Sequence, residues 1–267
     1  MTTNTQLELA KKLLSTSDGS LDDAIQALRI AQHGKPRQSG PPKNSEVVAS
    51  IQNVTKKYKV GKHPVQALAG VSLDIFRGEF VALAGSSGSG KSTLLQLIGG
   101  LDKPDEGIIS IAGQNLAGLS DRKLARFRNR TIGFVFQFFY LQPFLNVATN
   151  IEVPAMFAHA NATESKGRAR TLGETVGLGE RLEHLPAELS GGQMQRAAIA
   201  RALQNQPSIL LADEPTGNLD RKNALAIFEL FRTICDEQGT TVVVVTHDAG
   251  LAAMADRVIE LQDGVIL

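Results

Sequence analysis

The chain has 267 residues, of which 42% are hydrophobic and 21% are charged, so it can bury a substantial core and is not wholly disordered. Its 28 basic and 27 acidic residues give a net charge of +1, without the basic excess typical of a nucleic-acid-binding protein. The single cysteine, Cys235, excludes an intrachain disulfide and is expected to pack on a helix. No apolar run approaches the ~18 residues of a membrane span, so we expect a cytoplasmic chain that needs a separate partner for any membrane role.

Residues 1–45 differ in pattern from the rest of the chain. Apolar residues recur there at helical spacing in two successive stretches, and Gly34 and Pro36 end the second one. The stretch 38–45 is rich in Gly, Pro, Ser and Asn, as linkers are. We therefore expect a short two-helix appendage joined through this linker to a main domain at 46–267.

From Val47 onward, short β-like runs alternate with amphipathic helices such as 91–99, 193–204 and 222–238. The runs within 208–212 and 241–246 are apolar on both faces, as parallel strands covered by helices on each side require. This alternation predicts an α/β fold with a mostly parallel core sheet. The predicted strands are 47–53, 71–76, 80–84, 107–112, 132–136, 208–212, 241–246 and 257–262.

The segment 138–188 interrupts the alternation, because it is helix-like and has no clear strand. It lies between two predicted strands of the core sheet. We interpret it as an inserted helical subdomain, which extends over about 138–203 when the helix that follows is included.

A phosphate-binding loop is indicated between the strand 80–84 and the helix 91–99. The glycines allow backbone N–H groups to close round a phosphate, and the helix N-terminus adds positive potential. Lys91 would reach the β- and γ-phosphates, and the Ser92 hydroxyl would ligate Mg²⁺. A Gly/Ser-rich turn without a ligand is the plainer alternative, and the strand–loop–helix context speaks against it. The residues of this P-loop are Gly85, Ser86, Ser87, Gly88, Ser89, Gly90, Lys91, Ser92 and Thr93.

Polar residues also follow two other predicted strands at their carboxyl ends, which is where open α/β sheets bind ligands. Asp213 is placed to hold Mg²⁺ through its water shell, and Glu214 to act as general base toward an attacking water. His247 would hydrogen-bond a γ-phosphate. The alternatives are a solvated pair of strand-end acids and a structural or surface histidine.

A second anion-binding helix end is predicted at Ser190, Gly191, Gly192 and Gln193, which combine a Ser N-cap with two glycines. Together with Leu189 these residues resemble the signature pentapeptide of the ABC ATPase family. The resemblance implies a P-loop NTPase fold of the ABC ATPase type, with an antiparallel β subdomain beside the parallel core. It also implies a head-to-tail homodimer, in which each signature closes on the ATP held by the P-loop of the other copy.

The remaining motifs of that family follow in order. Tyr58 resembles the aromatic residue that stacks on adenine. Gln137 resembles the Q-loop glutamine, which in the family contacts Mg²⁺ and the lytic water and communicates with the membrane subunit. Asp220 resembles the D-loop aspartate at the dimer interface, and His247 resembles the switch histidine.

A finer resemblance, to the LolD/MacB-like group, is carried by 131–137, 189–196 and 212–220. It implies an ATP- and Mg²⁺-dependent ATPase that powers export or extraction of a lipoprotein, lipid, peptide or drug through separate transmembrane permease subunits. Such a subunit would bind peripherally to the cytoplasmic face of the inner membrane. Signalling to cell-wall hydrolases through a membrane partner remains an alternative. ABC ATPases of DNA repair and of translation fit poorly, because the chain has neither a long coiled-coil insertion nor a second P-loop.

Overall fold

Two β-sheets and seven α-helices are formed by residues 46–61 and 63–267, which the computed structural model describes. The predicted appendage at 1–45 lies outside the described residues. The strands are β1 Val47–Val60, β2 His63–Phe76, β3 Phe80–Ala84, β4 Glu106–Ile111, β5 Gln114–Asn115, β6 Ile132–Phe136, β7 Ile209–Asp213, β8 Thr241–Val245, β9 Arg257–Gln262 and β10 Val265–Ile266. The helices are α1 Lys91–Ile98, α2 Asp121–Thr131, α3 Val147–Phe157, α4 Ala162–Thr175, α5 Gly191–Leu203, α6 Arg221–Gln238 and α7 Ala249–Ala252, with 3-10 turns at Gly179–Arg181 and Pro186–Glu188.

The larger sheet has the strand order β10-β9-β3-β8-β7-β6, and all of its pairs except β9 with β10 are parallel. Its central strands β3, β8 and β7 are buried on both faces, because successive residues enter two separate hydrophobic cores. Phe80 and Ala82 of β3 belong to one core, whereas Val81 and Leu83 belong to the other. The predicted mostly parallel sheet with cover on both sides is confirmed.

The smaller sheet is antiparallel, in the order β2-β1-β4-β5. Its first two strands have 14 residues each and are longer than the predicted runs 47–53 and 71–76. The unpredicted parts carry charged residues in β1 and Pro64 in β2, which lower the β-propensity of the sequence. Pro64 is tolerated because β2 is an edge strand of this sheet.

The chain between β6 and β7 forms α3, α4, α5 and the two 3-10 turns, and no strand occurs in this fully described segment. Apolar residues of these helices, including Ile151, Leu172 and Ala197, pack into the core on one face of the larger sheet. Asn150 is fully buried at the start of this region. Its amide nitrogen donates to the carbonyls of Gln142, Leu145 and Asn146, which closes the loop before α3.

Strand register brings the candidate site together. In the larger sheet Leu83 and Asp213 both lie opposite Val245, and Phe136 lies opposite Asp213. The residues that follow these four positions therefore leave the sheet at one edge. They are the P-loop, Glu214, His247 and Gln137.

Candidate functional site

The P-loop connects β3 to α1 in a tight turn that requires glycine at two positions. Gly85 has φ 138° and Gly90 has φ 104°, in the left-handed region that other residues seldom adopt. A Cβ at Gly85 would lie 2.2 Å from the carbonyl oxygen of Leu261, and one at Gly90 would lie 2.5 Å from that of Ala67. The loop is thus held against the strands on both sides of it.

Lys91 begins α1 with only 6% of its surface exposed. Its ammonium group donates to the carbonyls of Gly85 (2.9 Å) and Ser86 (2.7 Å) and lies 3.4 Å from Ser89 Oγ. The charge is therefore placed over the concave side of the loop, beside the N-terminus of α1. This arrangement suits an anion.

Ser92 and Asp213 join the P-loop helix to β7. Ser92 Oγ donates to Asp213 Oδ1 at 2.8 Å. Burial raises the pKa of Asp213, the hydrogen bond from Ser92 opposes this rise, and the negative charge of Glu214 adds to it. A cation here would relieve the cost of this buried negative charge.

These two oxygen donors fit Mg²⁺, which prefers oxygen ligands and keeps several of its waters. Within residues 46–61 and 63–267 no group of three or more His, Cys, Asp or Glu side chains could hold a metal ion by itself. A metal ion beside Ser92 and Asp213 would therefore need further ligands from water or from phosphate, as in other phosphoryl-transfer sites.

Glu214 and His247 face each other at the ends of β7 and β8, with Glu214 Oε1 3.8 Å from His247 Nδ1. Glu214 has φ 44°, which is uncommon for a residue other than glycine. Its N–H donates to the carbonyl of Val245 at 3.2 Å, which holds the turn against β8. Backbone strain of this kind is frequent where a side chain must be aimed at a reacting group.

Gln137 follows β6 and contacts the turn that comes after Glu214. Its Nε2 lies 3.5 Å from Asn218 Oδ1, and Asn218 Nδ2 donates to the Gln137 carbonyl at 3.1 Å. A Cβ at Gly217 would lie 2.8 Å from the same Nε2 atom. Gly217 and Asn218 therefore determine where the Gln137 amide lies. The sequence by itself predicts this role for neither of them.

Tyr58 is half-buried near the end of β1 in the smaller sheet. Its hydroxyl donates to Asp102 Oδ2 at 2.9 Å, and the ammonium group of Lys56 lies 5.2 Å from the centroid of its ring. Lys56 also donates to Asp102 Oδ1 at 2.9 Å. Sequence reasoning missed Lys56 and Asp102, because their pairing joins two distant parts of the chain.

The signature residues form the N-terminus of α5. Ser190 Oγ accepts from Gln193 N–H, and Gln193 Oε1 accepts from Ser190 N–H at 2.8 Å, so the pair makes a capping box. Asp220 caps the neighbouring helix α6 and accepts from Asn223 N–H. Among residues 46–61 and 63–267, no hydrogen bond joins residues 190–193 to the P-loop.

Exposed apolar side chains accumulate after Gln137, and we call them the apolar surface group. Their exposed fractions reach 76% at Phe157. The backbone beneath the first of them is held by Arg201 of α5, which donates to the carbonyls of Phe139 (2.8 Å) and Tyr140. Burial lowers the pKa of Arg201. The members of the group are Phe138, Tyr140, Phe144, Met156 and Phe157.

Comparison with known sequences adds to this geometry. Residues 68–217 match the family described as ABC transporter. The chain is 46% identical over 221 residues to the lipoprotein-releasing system ATP-binding protein LolD of Shewanella sp. (strain MR-7). The aligned residues cover 83% of this chain and 96% of that relative. It is 50% identical over 219 residues to an uncharacterized ABC transporter ATP-binding protein of Thermotoga maritima, with 82% and 93% covered.

Two solved structures are also similar over more than four-fifths of the chain. The ATP-binding cassette MJ0796, solved as a dimer in a post-hydrolysis state bound to ADP and Pi, has a TM-score of 0.75 and 45% identity, with 82% of this chain and 96% of that chain covered. CbiO1 from Clostridium perfringens, part of the cbiONQ complex, has a TM-score of 0.75 and 28% identity, with 83% and 87% covered. In the part of this chain that the structure describes, no helix is both long and apolar enough to cross a bilayer.

Proposed function

Because this chain belongs to the ABC transporter family, we propose that it is the ATP-hydrolysing subunit of a transporter of the lipoprotein-releasing type. As a member of the family it binds and hydrolyses ATP, and it acts as a homodimer with separate permease subunits. The observation that carries the proposal is the convergence of the P-loop, the Ser92–Asp213 pair and Glu214 at one edge of the sheet.

The P-loop and Lys91 bind the phosphates of ATP in this proposal. The Lys91 ammonium group exchanges its contacts with the loop carbonyls for contacts with the β- and γ-phosphates. Ser92 and Gln137 would ligate Mg²⁺, and Asp213 would hold it through its water shell. When bound, Mg²⁺ neutralises charge that develops on the phosphates.

Glu214 acts as general base in the hydrolysis step. Its carboxylate accepts a proton from the attacking water, which is thereby oriented toward the γ-phosphate. His247, on the opposite side of the gap, donates a hydrogen bond to the γ-phosphate. The 3.8 Å between Glu214 Oε1 and His247 Nδ1 supports this division, since each side chain is free to contact a different oxygen.

The signature residues complete the site of the other copy. Ser190 and the N-terminus of α5 offer an anion-binding helix end, which in the described residues makes no hydrogen bond to the P-loop of its own chain. In a head-to-tail dimer this helix end closes on the ATP held by the second chain, and Asp220 lies at the same interface. The dimeric cassette MJ0796 supports this arrangement.

The apolar surface group is the proposed contact with a permease subunit. Its first member, Phe138, follows Gln137 directly, so contact with a permease can be transmitted to the ATP site through Gln137 and Asn218. Binding there places the chain peripherally on the cytoplasmic face of the inner membrane. The LolD relatives support a lipoprotein as the extracted substrate.

The test is reconstitution of the chain with its permease subunits in proteoliposomes. We expect an acylated lipoprotein to stimulate ATP hydrolysis and to leave the membrane, whereas the same polypeptide without its acyl chains does neither. If the complex hydrolyses ATP but lipoproteins neither stimulate it nor leave the membrane, the proposed substrate is wrong and the ATPase assignment stands. Loss of all hydrolysis in the Lys91→Ala complex is the control for the site itself.

A further inference from the structure

The end of β1 that carries Tyr58 has support from only one neighbouring strand. β4 pairs with β1 at residues 49–52 and at Thr55, but not beyond Thr55. Among the residues that the structure describes, Lys56 to Tyr58 pair with β2 alone, through Leu68, Gln66 and Val65. A two-stranded hairpin is marginally stable by itself in water, so this segment needs another contact to hold one position.

A charged network supplies that contact. Asp102 accepts from Tyr58 Oη (2.9 Å) through Oδ2 and from Lys56 Nζ (2.9 Å) through Oδ1. Lys56 Nζ also donates to the carbonyl of Lys103 at 2.7 Å, and the residue is 8% exposed. Lysine is seldom buried without a partner, so the position of its ammonium group is tied to Asp102.

The charge states of these groups favour the network. Burial raises the pKa of Asp102, but the hydrogen bonds from Lys56, from the Lys103 N–H and from Tyr58 outweigh this and lower it overall. Burial raises the pKa of Tyr58, and its hydrogen bond to Asp102 raises it further. At neutral pH an ionised carboxylate therefore accepts from an intact phenol and an ammonium group.

Asp102 also connects Tyr58 to the phosphate site. It lies four residues beyond the end of α1, the helix that starts at Lys91 of the P-loop. A second link lies beside it, because Lys57 N–H donates to Asp105 Oδ2 at 2.6 Å and Asp105 N–H donates to the Thr55 carbonyl at 3.0 Å. The hairpin is therefore attached to the segment that directly follows the helix of the P-loop.

We propose that Lys56 and Asp102 are positioning residues that hold the Tyr58 ring as a stacking surface for the nucleotide base, at a fixed place relative to the P-loop. The inference rests on the role that the family resemblance implies for Tyr58, which is to stack on the adenine of the ATP that the proposed function requires. Lys56 occupies one face of the ring, so the base stacks on the other face. Stacking then depends on where the ring is held and not only on its presence.

The test compares the dissociation constants of ATP and of inorganic triphosphate, which binds the P-loop but has no base. We expect Tyr58→Ala to raise the dissociation constant of ATP about tenfold, and Asp102→Ala to raise it about threefold to tenfold. The affinity for triphosphate should be unchanged in both variants. Tyr58→Phe keeps the ring but loses the hydrogen bond, so its affinity for ATP should lie between those of the wild type and Tyr58→Ala. The matched control is Asp121→Ala, whose side chain is 92% exposed.

A double-mutant cycle separates positioning from a general loss of structure. Asp102→Ala should add nothing to the loss of ATP affinity in the Tyr58→Ala background, since there is no ring left to position. Additive losses, or an equal loss of triphosphate binding, would overturn the inference. Unchanged ATP affinity in Tyr58→Ala would instead overturn the proposed role of Tyr58, on which the inference depends. Asp102→Asn, which keeps an acceptor for Tyr58, should recover part of the affinity.

Discussion

His247 Nδ1 lies 3.8 Å from Glu214 Oε1, so the side chains that follow two adjacent strands face each other without a direct hydrogen bond. His247 is mostly exposed, whereas two-thirds of the Glu214 side chain is covered. The gap between them opens to solvent on the histidine side. A water between the carboxylate and a phosphate would lie in reach of Glu214.

Replacement of Glu214 tests the general base. We expect Glu214→Gln to bind ATP normally and to lower steady-state hydrolysis about 10²- to 10⁴-fold, because the amide cannot accept the proton of the attacking water. Nucleotide binding and phosphate release are measured on the same preparation. Glu237→Gln, an exposed glutamate near the end of α6, is the control. Normal turnover in Glu214→Gln would contradict the assignment.

Dimer formation should depend on ATP. In the presence of Mg-ATP, Glu214→Gln should elute as a dimer, because ATP that is not hydrolysed keeps the two signatures closed on the two P-loops. Size-exclusion chromatography with light scattering measures the mass with and without nucleotide. Adding Ser190→Arg removes the N-cap of α5 and should restore the monomer. A doubly substituted protein that still dimerises would show that the signature is not the contact.

Asp213→Asn should stabilise the nucleotide-free protein while abolishing Mg²⁺-dependent hydrolysis. Burial raises the folded-state pKa of Asp213 above its unfolded value of about 3.8. Ionisation of this group therefore costs stability as the pH rises through that window, and the cost is absent below it. Thermal unfolding should show a gain in Tm of about 2–4 °C at neutral pH and a smaller gain at acidic pH. An equal gain at both pH values would exclude the charge as its cause.

Gly217→Ala should impair hydrolysis without unfolding the protein. The new Cβ would press on the flexible end of the Gln137 side chain, so that the amide moves and the backbone does not. A displacement of this size lowers kcat about tenfold to a hundredfold when the displaced group contacts the reacting atoms. Gly118→Ala is the control, since the nearest atom to its added Cβ is 3.9 Å away. Tm should remain at the wild-type value in both variants.

Deletion of residues 1–45 should leave basal ATP hydrolysis nearly unchanged, because none of the candidate site residues lies there. The predicted second helix carries an apolar face with Leu21, Ile25 and Leu28. We expect this face to bind a membrane subunit or another partner, so the deletion should reduce co-purification with the permease. Leu28→Asp in the full chain should have the same effect. A large fall in basal hydrolysis would show instead that this segment supports the catalytic domain.

Much of the core sheet could be predicted because its strands have a distinctive composition. β8 is buried at all five positions, and β7 and β3 are buried at four of five, so apolar runs mark them in the sequence. The outer part of β1 could not be predicted in the same way, since Lys56 and Lys59 suggest a surface loop. Its extended conformation depends on pairing with β2 and on Asp102. The two-residue strands β5 and β10 are too short to have a periodicity.

In the candidate site too, some residues could be predicted from the sequence and others could not. Lys91, Asp213 and Glu214 lie in recognisable local motifs, and the parallel register brings their strand ends together. Asn218 and Asp102 act on residues that are far away in the sequence. Only the folded chain shows that Asn218 contacts Gln137, or that Asp102 joins Lys56 to Tyr58. Pairings of this kind have no local pattern by which sequence reasoning could find them.

Through Arg201, α5 connects the backbone at 139–140 to the helix end that Ser190 caps. Arg201 holds the carbonyls beneath Phe139 and Tyr140, while Ser190 caps the opposite end of the same helix. The 13 residues of α5 form a rod about 19 Å long. If a permease moved the backbone at Tyr140, we would expect the displacement to reach Ser190 through this helix. By the same connection, dimer closure at Ser190 would be expected to displace the backbone at Tyr140 and any permease subunit bound there.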